Sequence, residues 1–416
     1  MMKKLATCST TAKRLGGSVS SETIQKMLFS QQSRFESKTH VFKIDKEAAF
    51  KYHLPQKHMQ GITWTGPKEQ VEFTKEKLME MYRMMALIRR FELVSDQQYK
   101  ARNIRGFCHL YSGQEAVCVG IEEAITRQDS IITAYRDHGF QLVRGGSVES
   151  TMAEQLGRVT GCSKGKGGSM HMYNVANRFY GGNGIVGAQV PVGAGLAFAH
   201  QYLDRLNKKD VKDRNVCFTL YGDGAANQGQ VFEAFNMAKL WHIPVVFVCE
   251  NNKYGMATPI GRSSASTDYY ERGDYIPGIW VDGQDIFAVY EASRYAKEYA
   301  QQYGPIVLET ETYRYYGHSM SDPGITYRTR EEVQQVRASR DPIVRMKNRL
   351  IEQGIATEEE FKAIDEQVKD EVQQGTEKAL QAPLPPAHEL VEDILVDKEY
   401  FVRGRWIGET WNVVQQ

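Results

Sequence analysis

Two short apolar runs, Val216-Cys217-Phe218-Thr219-Leu220-Tyr221 and Val245-Val246-Phe247-Val248-Cys249, limit what this chain can fold into more than any other feature. Each reads as a strand buried on both faces. Between them, over Gln230 to His242, Val231, Phe235, Ala238 and Trp241 recur at helical spacing. Strand, helix, strand in that order predicts a mostly parallel sheet flanked by helices, an α/β fold, and Ile306-Val307-Leu308 supplies a third such strand. Upstream, Lys77 to Arg102 reads as a helix with Leu78, Met81, Met85, Ile88 and Leu93 near one face. Beyond Gly106 glycines punctuate the chain, and Gly145-Gly146, Gly161, Gly165, Gly167-Gly168 and Gly181 to Gly195 read as loops. Thr357-Glu358-Glu359-Glu360 opens an amphipathic helix reaching about Gln374 with capping-box chemistry. Ala382 to Pro386 then links to a C-terminal tail. No internal repeat is found.

Composition excludes several classes. The 52 basic and 51 acidic side chains leave a formal charge of +1, so no global field gathers polyanions and nucleic-acid binding is not expected. The longest apolar stretch, Ile243 to Cys249, falls far short of the ~20 residues of a membrane helix, so no membrane insertion is expected. Six cysteines without a CxxC pair indicate neither a disulfide framework nor a zinc site and fit a reducing compartment. Charge is uneven, however. Residues 1 to 40 carry seven basic against two acidic side chains and twelve Ser or Thr, leaving about −4 for the remainder. That composition, without a continuous apolar core, is that of an organelle transit peptide directed to the mitochondrial matrix. The expected organisation is therefore a leader over 1–35, an N-terminal arm over 36–75, a cofactor-binding α/β domain over 76–330, and a C-terminal helical region with its tail over 331–416.

Gly182-Asn183-Gly184-Ile185-Val186-Gly187 satisfies GxGxxG, with Asp204 twenty residues past the middle glycine. A dinucleotide fingerprint needs a hydrophobic strand just before it and its acidic residue at the end of a second strand. Met172 to Tyr180 is polar and Asp204 ends a helix-like run from Ala194 to Leu206, so that reading is set aside. Gly161 to Gly168, with Lys164 and Lys166, fails the GxxxxGK[ST] spacing of a nucleotide phosphate loop. The stronger signal is Gly222-Asp223-Gly224-Ala225-Ala226-Asn227 at the end of the first buried strand, with Asn251-Asn252-Lys253-Tyr254 at the end of the second. Ligands bind at such carboxyl ends. Glycines beside Asp223 allow close backbone approach, and a following helix would aim its N-terminal N–H groups at an anion. A carboxylate, a side-chain amide and a main-chain carbonyl near Tyr254 are hard oxygen donors. Magnesium wants about six such donors, and diphosphate oxygens would supply the missing ones.

GDG, then about thirty residues, then NN resembles the signature of thiamine-diphosphate enzymes. Gly106-Phe107-Cys108-His109-Leu110, Gly165 to Met172, Gly181 to Pro191, Gly222 to Gln230 and Tyr315 to Gly324 resemble the family of alpha subunits of pyruvate dehydrogenase first components, over residues 75 to 375. The resemblance implies a thiamine-diphosphate-binding fold, with Mg2+ held by Asp223, Asn252 and the Tyr254 carbonyl. It implies diphosphate and cofactor contacts at Tyr135, Arg136, Gly184, Val186, Gly224, Ala225 and His318. His109 and His318 become the candidate catalytic histidines, and His138 is compatible with either a packing or a site role. Arg136 and His318 could pair with diphosphate charge.

Thiamine diphosphate acts as an ylid that attacks a 2-oxo acid carbonyl and then takes up the electrons released with CO2. Forming that ylid needs a neutral carboxylic acid and a second domain around the aminopyrimidine, and neither is identifiable here. The resemblance names the missing half as a separate beta subunit in an assembly of two alpha and two beta chains. The acetyl group then passes to a lipoyl acyltransferase. The segment Tyr316 to Arg330 reads as a mobile loop. By resemblance it covers the cofactor and is switched by a kinase and a phosphatase, with Ser319 as the first phosphorylation site. This chain departs from the mammalian pattern with Thr326 at the second site, Pro259 at the third, and Tyr316 where relatives often carry His. Competing readings are the alpha subunit of branched-chain 2-oxo acid or acetoin dehydrogenase, and a catalytically dead regulatory paralogue. An RNA-binding module on Gly161 to Gly168 lacks interleaved aromatics.

Overall fold

The computed structural model describes residues 38–390 and 392–394. The leader, expected over 1–35, and the end of the tail lie outside the described residues. A central sheet of seven strands has the order β2 (Phe50–His53), β10 (Gly278–Asp282), β11 (Ile306–Glu311), β7 (Val245–Asn251), β6 (Cys217–Gly222), β4 (Ser130–Ala134), β5 (Phe179–Asn183). Only the β2–β10 pairing is antiparallel. Two ribbons stand outside it: β1 (Thr39–Lys43) with β3 (Gln70–Thr74), and β8 (Tyr254–Gly255) with β9 (Thr258–Pro259).

Because successive side chains of a strand point to opposite faces, the buried strands feed two separate cores. Phe218, Leu220, Val246 and Val248 face one core with α1 (Lys75–Lys100), α2 (Glu115–Ala124) and α7 (Ile286–Tyr303). Cys217, Tyr221, Val245, Phe247 and Cys249 face the other, with α5 (Gln189–Leu206) and α6 (Gly229–Trp241). Both strands predicted around α6 are present and adjacent, paired in parallel from Cys217↔Val245 to Gly222↔Glu250. The strand expected at Ile306 pairs with β7 on its other side. The C-terminal helices are α8 (Arg330–Arg340), α9 (Pro342–Glu352) and α10 (Glu358–Gln381). α10 starts with the predicted capping box: Thr357 Oγ1 accepts from the Glu360 N–H, and the Glu360 carboxylate accepts from the Thr357 N–H. It packs on α1 and on α4 (Val148–Gln155), which follows α3 (His138–Val143).

Four expectations need correction. The GxGxxG segment does follow a strand, β5, and leads into α5, because Phe179-Tyr180 pairs beside β4 despite its polar surroundings. Asp204 nonetheless lies within α5 and binds the Asn215 N–H and Lys209, not a second strand end. The helix after the GDG motif starts at Gly229, within a residue of the expected Gln230, but its N-terminus does not follow the motif directly, since a 3-10 turn, Ala225–Asn227, intervenes. Residues 36–75 are more than an arm, because β2 within them forms an edge of the central sheet. Finally, Tyr316 to Thr329 has no helix or strand, but it is tightly tied. Asp322 accepts from the His318 and Gly324 N–H groups and from the Tyr327 hydroxyl, and Ser319 and Arg328 are buried.

Candidate functional site

β6 connects towards β7 on one side and β4 connects to β5 on the other, so the chain reverses direction in the sheet between β4 and β6. A crevice opens outside the carboxyl ends of parallel strands at such a reversal. Here it is a cavity of about 260 Å3. Tyr135 and Arg136 enter it after β4, Asp223, Gly224 and Ala225 after β6, and Asn252 and Tyr254 after β7; Val186 and His318 complete the predicted residues on its wall. Gly184 stands outside the wall, where an added Cβ would press to 3.2 Å against the His171 ring. His109 lies one layer back, with its ring centroid 4.5 Å from Tyr135 and 5.2 Å from His318. Ser319 is buried with its Oγ 2.8 Å from Ser321 Oγ, whereas Thr326 is exposed.

The two polar turns meet as their spacing predicts. Lys253 adopts a left-handed conformation (φ 74°), and Asn251 Oδ1 accepts from its N–H, which turns the chain so that Tyr254 returns to the cavity. Asn252 is oriented by donating from Nδ2 to Gln114 Oε1 at 3.1 Å, while its Oδ1 accepts a longer bond of 3.4 Å from the Tyr254 N–H. Gly224 and Gly255 bring two backbones together: a Cβ on Gly224 would sit 3.4 Å from the Gly255 Cα. Asp223 is buried, and its Oδ2 has no hydrogen-bond partner. Burial pushes its carboxyl up to about 6, opposed by its own and the Asn252 N–H groups and by Arg314 and Lys253. A buried carboxylate oxygen without a partner is costly unless a cation completes it. Among the described residues no cluster of three or more His, Cys, Asp or Glu could hold a metal by itself. The donor set of Asp223, the Asn252 amide and the Tyr254 carbonyl therefore fits a hard cation whose remaining ligands arrive with an anionic cofactor.

Arg136 brings positive charge to the same cavity. Arg136 is buried and donates to the Leu110 and His318 carbonyls, so its fork is fixed in place before it meets any ligand. Burial and the neighbouring Arg136 and Arg314 cations hold His318 down at about 4 and His109 at about 2, keeping both rings neutral near pH 7. Sequence reading missed three contributors. Gln114 orients Asn252. Glu250, raised to about 7 by burial, lines the cavity and accepts from the Tyr111 hydroxyl at 2.6 Å. Arg314 is buried near both histidines and leaves Nε and Nη1 without partners. A carboxylate at the end of an apolar run was the available signal for Glu250. Nothing local marked Gln114, whose partner lies 138 positions away.

Fold and site together define an α/β chain with a mixed-charge crevice suited to an anionic cofactor bridged by a hard cation. The chain belongs to the Dehydrogenase E1 component family, whose profile matches residues 83–388. It is 56% identical over 369 residues to the pyruvate dehydrogenase E1 component subunit alpha, mitochondrial, of Saccharomyces cerevisiae, covering 87% of this chain and 85% of that relative. The same-named protein of Dictyostelium discoideum is 56% identical over 340 residues, 82% of this chain and 87% of its own length. The somatic-form subunit of Homo sapiens is 55% identical over 346 residues, 82% and 86% respectively.

Proposed function

We propose that this chain is the alpha subunit of a pyruvate-acting E1 component in the mitochondrial matrix, binding thiamine diphosphate through Mg2+ and working with a separate beta chain as two alpha and two beta subunits. The observation that carries the reading is the unpartnered Oδ2 of Asp223, buried in a crevice that Asn252, Tyr254, Arg136 and His318 also line. Relatives above 50% identity are pyruvate dehydrogenase subunits, which supports pyruvate over branched-chain or acetoin substrates.

When bound, thiamine diphosphate supplies the nucleophilic carbon and electron sink for loss of CO2 from a 2-oxo acid. Asp223, Asn252 and the Tyr254 carbonyl would hold the metal, while Gly224 and Ala225 admit the diphosphate close to the backbone. Arg136 would meet the diphosphate with a pre-set guanidinium. His318 and His109, kept neutral by burial, could each donate from one ring nitrogen and accept at the other beside the reacting group. The acyl product would pass to a lipoyl acyltransferase.

A beta partner is supported by apolar side chains left on α5 and α6: Leu206 is 62% exposed, Leu240 67% and Trp241 48%, and the Phe198 and Trp241 rings meet across the two helices. Residues 1–35 would be removed on import, leaving residues 36–75, whose β2 joins the sheet of the cofactor domain over 76–330, and the C-terminal region over 331–416. A kinase and phosphatase would act at Ser319, where phosphate adds roughly two negative charges next to His318.

Co-expression with the candidate beta chain, followed by calorimetric titration of thiamine diphosphate with and without Mg2+ and by rates on pyruvate and 2-oxoisovalerate, tests the reading. Metal-dependent binding and a preference for pyruvate are expected. Full turnover by the single chain would refute the two-subunit site, and a preference for 2-oxoisovalerate would refute the substrate.

A further inference from the structure

Behind the crevice lies a second polar cluster that the proposed chemistry does not use. His138, at the start of α3, is completely buried. Its Nδ1 is 3.0 Å from both carboxylate oxygens of Glu92, inside α1, and its Nε2 is 2.8 Å from Ser169 Oγ and 3.1 Å from the Ser169 carbonyl. Carboxylate, imidazole and hydroxyl in series have the connectivity of a hydrolytic triad. Here all three are buried, with Ser169 only 3% exposed and none of them on the cavity wall, so no acyl group can reach the hydroxyl.

Both ends of the series instead grip one short stretch of backbone. The His109 N–H donates to Ser169 Oγ at 3.3 Å, and the Tyr111 N–H donates to Glu92 Oε1 at 2.8 Å. Between them the Leu110 carbonyl accepts from Arg136, two positions before His138. Thus three consecutive residues are each fixed through the main chain by a buried polar side chain. His109 needs this support, because its buried Nδ1 has no hydrogen-bond partner to orient the ring, which meets the rings of Phe107, Tyr135 and His318.

We infer that His138, bridging Glu92 and Ser169, is a positioning residue for His109: it fixes the segment His109–Tyr111 and so sets where the His109 ring stands beside Tyr135 and His318. The inference rests on the reading of His109 as a site residue. Its charge balance suits a fixed clasp, since burial opposes protonation of His138 but Glu92 and Asp137 outweigh it and hold the imidazole above its ordinary range. Two charged partners sharing a buried hydrogen-bonded pair do not exchange easily for another arrangement.

The mildest cut is Ser169→Ala, which removes one hydroxyl and leaves the His138 bond to the residue 169 carbonyl. In the assembled alpha–beta enzyme, kcat on pyruvate should fall about tenfold, the order expected for a displaced reacting group. KM and the cofactor dissociation constant should stay within about twofold, the unfolding midpoint should fall by no more than about 5 °C, and Ser169→Thr should restore turnover. In a His109→Ala background Ser169→Ala should cost nothing further, because residues acting through one another are not additive. Multiplying losses in the double variant would overturn the inference, as would a loss that tracks weaker cofactor binding or a midpoint lowered by more than that. If His109→Ala alone turns over normally, the reading of His109 falls, and the inference falls with it. Glu92→Gln gives an independent second variant, for which the same non-additivity with His109→Ala is required.

Discussion

Glu154 offers the sharpest test of how the glycine-rich loop is built. Its buried carboxylate accepts four backbone N–H groups, from Ser163 at 2.7 Å and Gly165 at 2.9 Å on Oε2, and from Gly167 at 2.7 Å and Gly168 at 3.2 Å on Oε1. The loop that fails as a nucleotide phosphate site is thus an anion nest already filled by the chain's own carboxylate. Gly165, at φ +75° and with Arg158 backbone atoms 2.6 Å from any added Cβ, permits that wrap. Glu154→Gln keeps size but presents one oxygen and one NH2, so two of the four donors face another donor. Losing two charge-assisted bonds at roughly 1.5–3 kcal/mol each, offset by water reaching the half-buried loop, gives a destabilisation of about 3–4 kcal/mol. With an unfolding entropy near 0.8 kcal/mol/K for a chain of this length, the midpoint should fall by roughly 5 °C. Differential scanning calorimetry measures this, and hydrogen exchange should show amides 163–168 losing protection. A midpoint within 1 °C of the parent with unchanged exchange at those amides would refute the reasoning.

Acidification tests the histidines: both have folded pKa values below their ordinary 6.5, so they stabilise fully above that value and the stability is lost as pH falls below it. The midpoint should drop between pH 7 and 5, and His109→Gln should flatten that drop; an identical pH profile would contradict the burial argument. Asp223→Asn should weaken Mg2+-dependent cofactor binding by two orders of magnitude or more while leaving the fold's midpoint level or higher, since it relieves an unpartnered buried carboxylate oxygen; titration calorimetry and a melt on one sample read both. Phosphate at Ser319, a site 6% exposed, should open residues 316–329 to limited proteolysis in the assembled enzyme, and Ser319→Ala should block labelling by the kinase. Equal labelling of Ser319→Ala would move the site to the exposed Thr326.

Much of the architecture could be read from the chain because its informative contacts are local. Val245 to Cys249, buried on both faces, had no other periodicity to follow, and Thr357 with Glu360 capped α10 within three residues. The two polar turns were legible because Asp223 and Asn252 each follow a strand directly. β5 was not: a strand of sequence FYGGN carries almost no intrinsic preference and exists because β4 offers it a partner. The loop from Tyr316 reads as unstructured for the same reason, because one carboxylate, Asp322, replaces secondary structure as its organiser. Glu92 and Ser169 sit 77 positions apart, and no spacing rule could have joined them through His138.

The two margins of the central sheet carry a last consequence. One margin is β2, four residues long and antiparallel to its neighbour, and the other is β5, five residues with two glycines. Short, glycine-containing borders offer poor templates for strand addition. Growth of the pleated layer from chain to chain is thereby discouraged, which leaves the helical faces as the broader surfaces for docking. The sheet's narrow ends thus guard against one particular route to a fibre, the pairing of exposed strands.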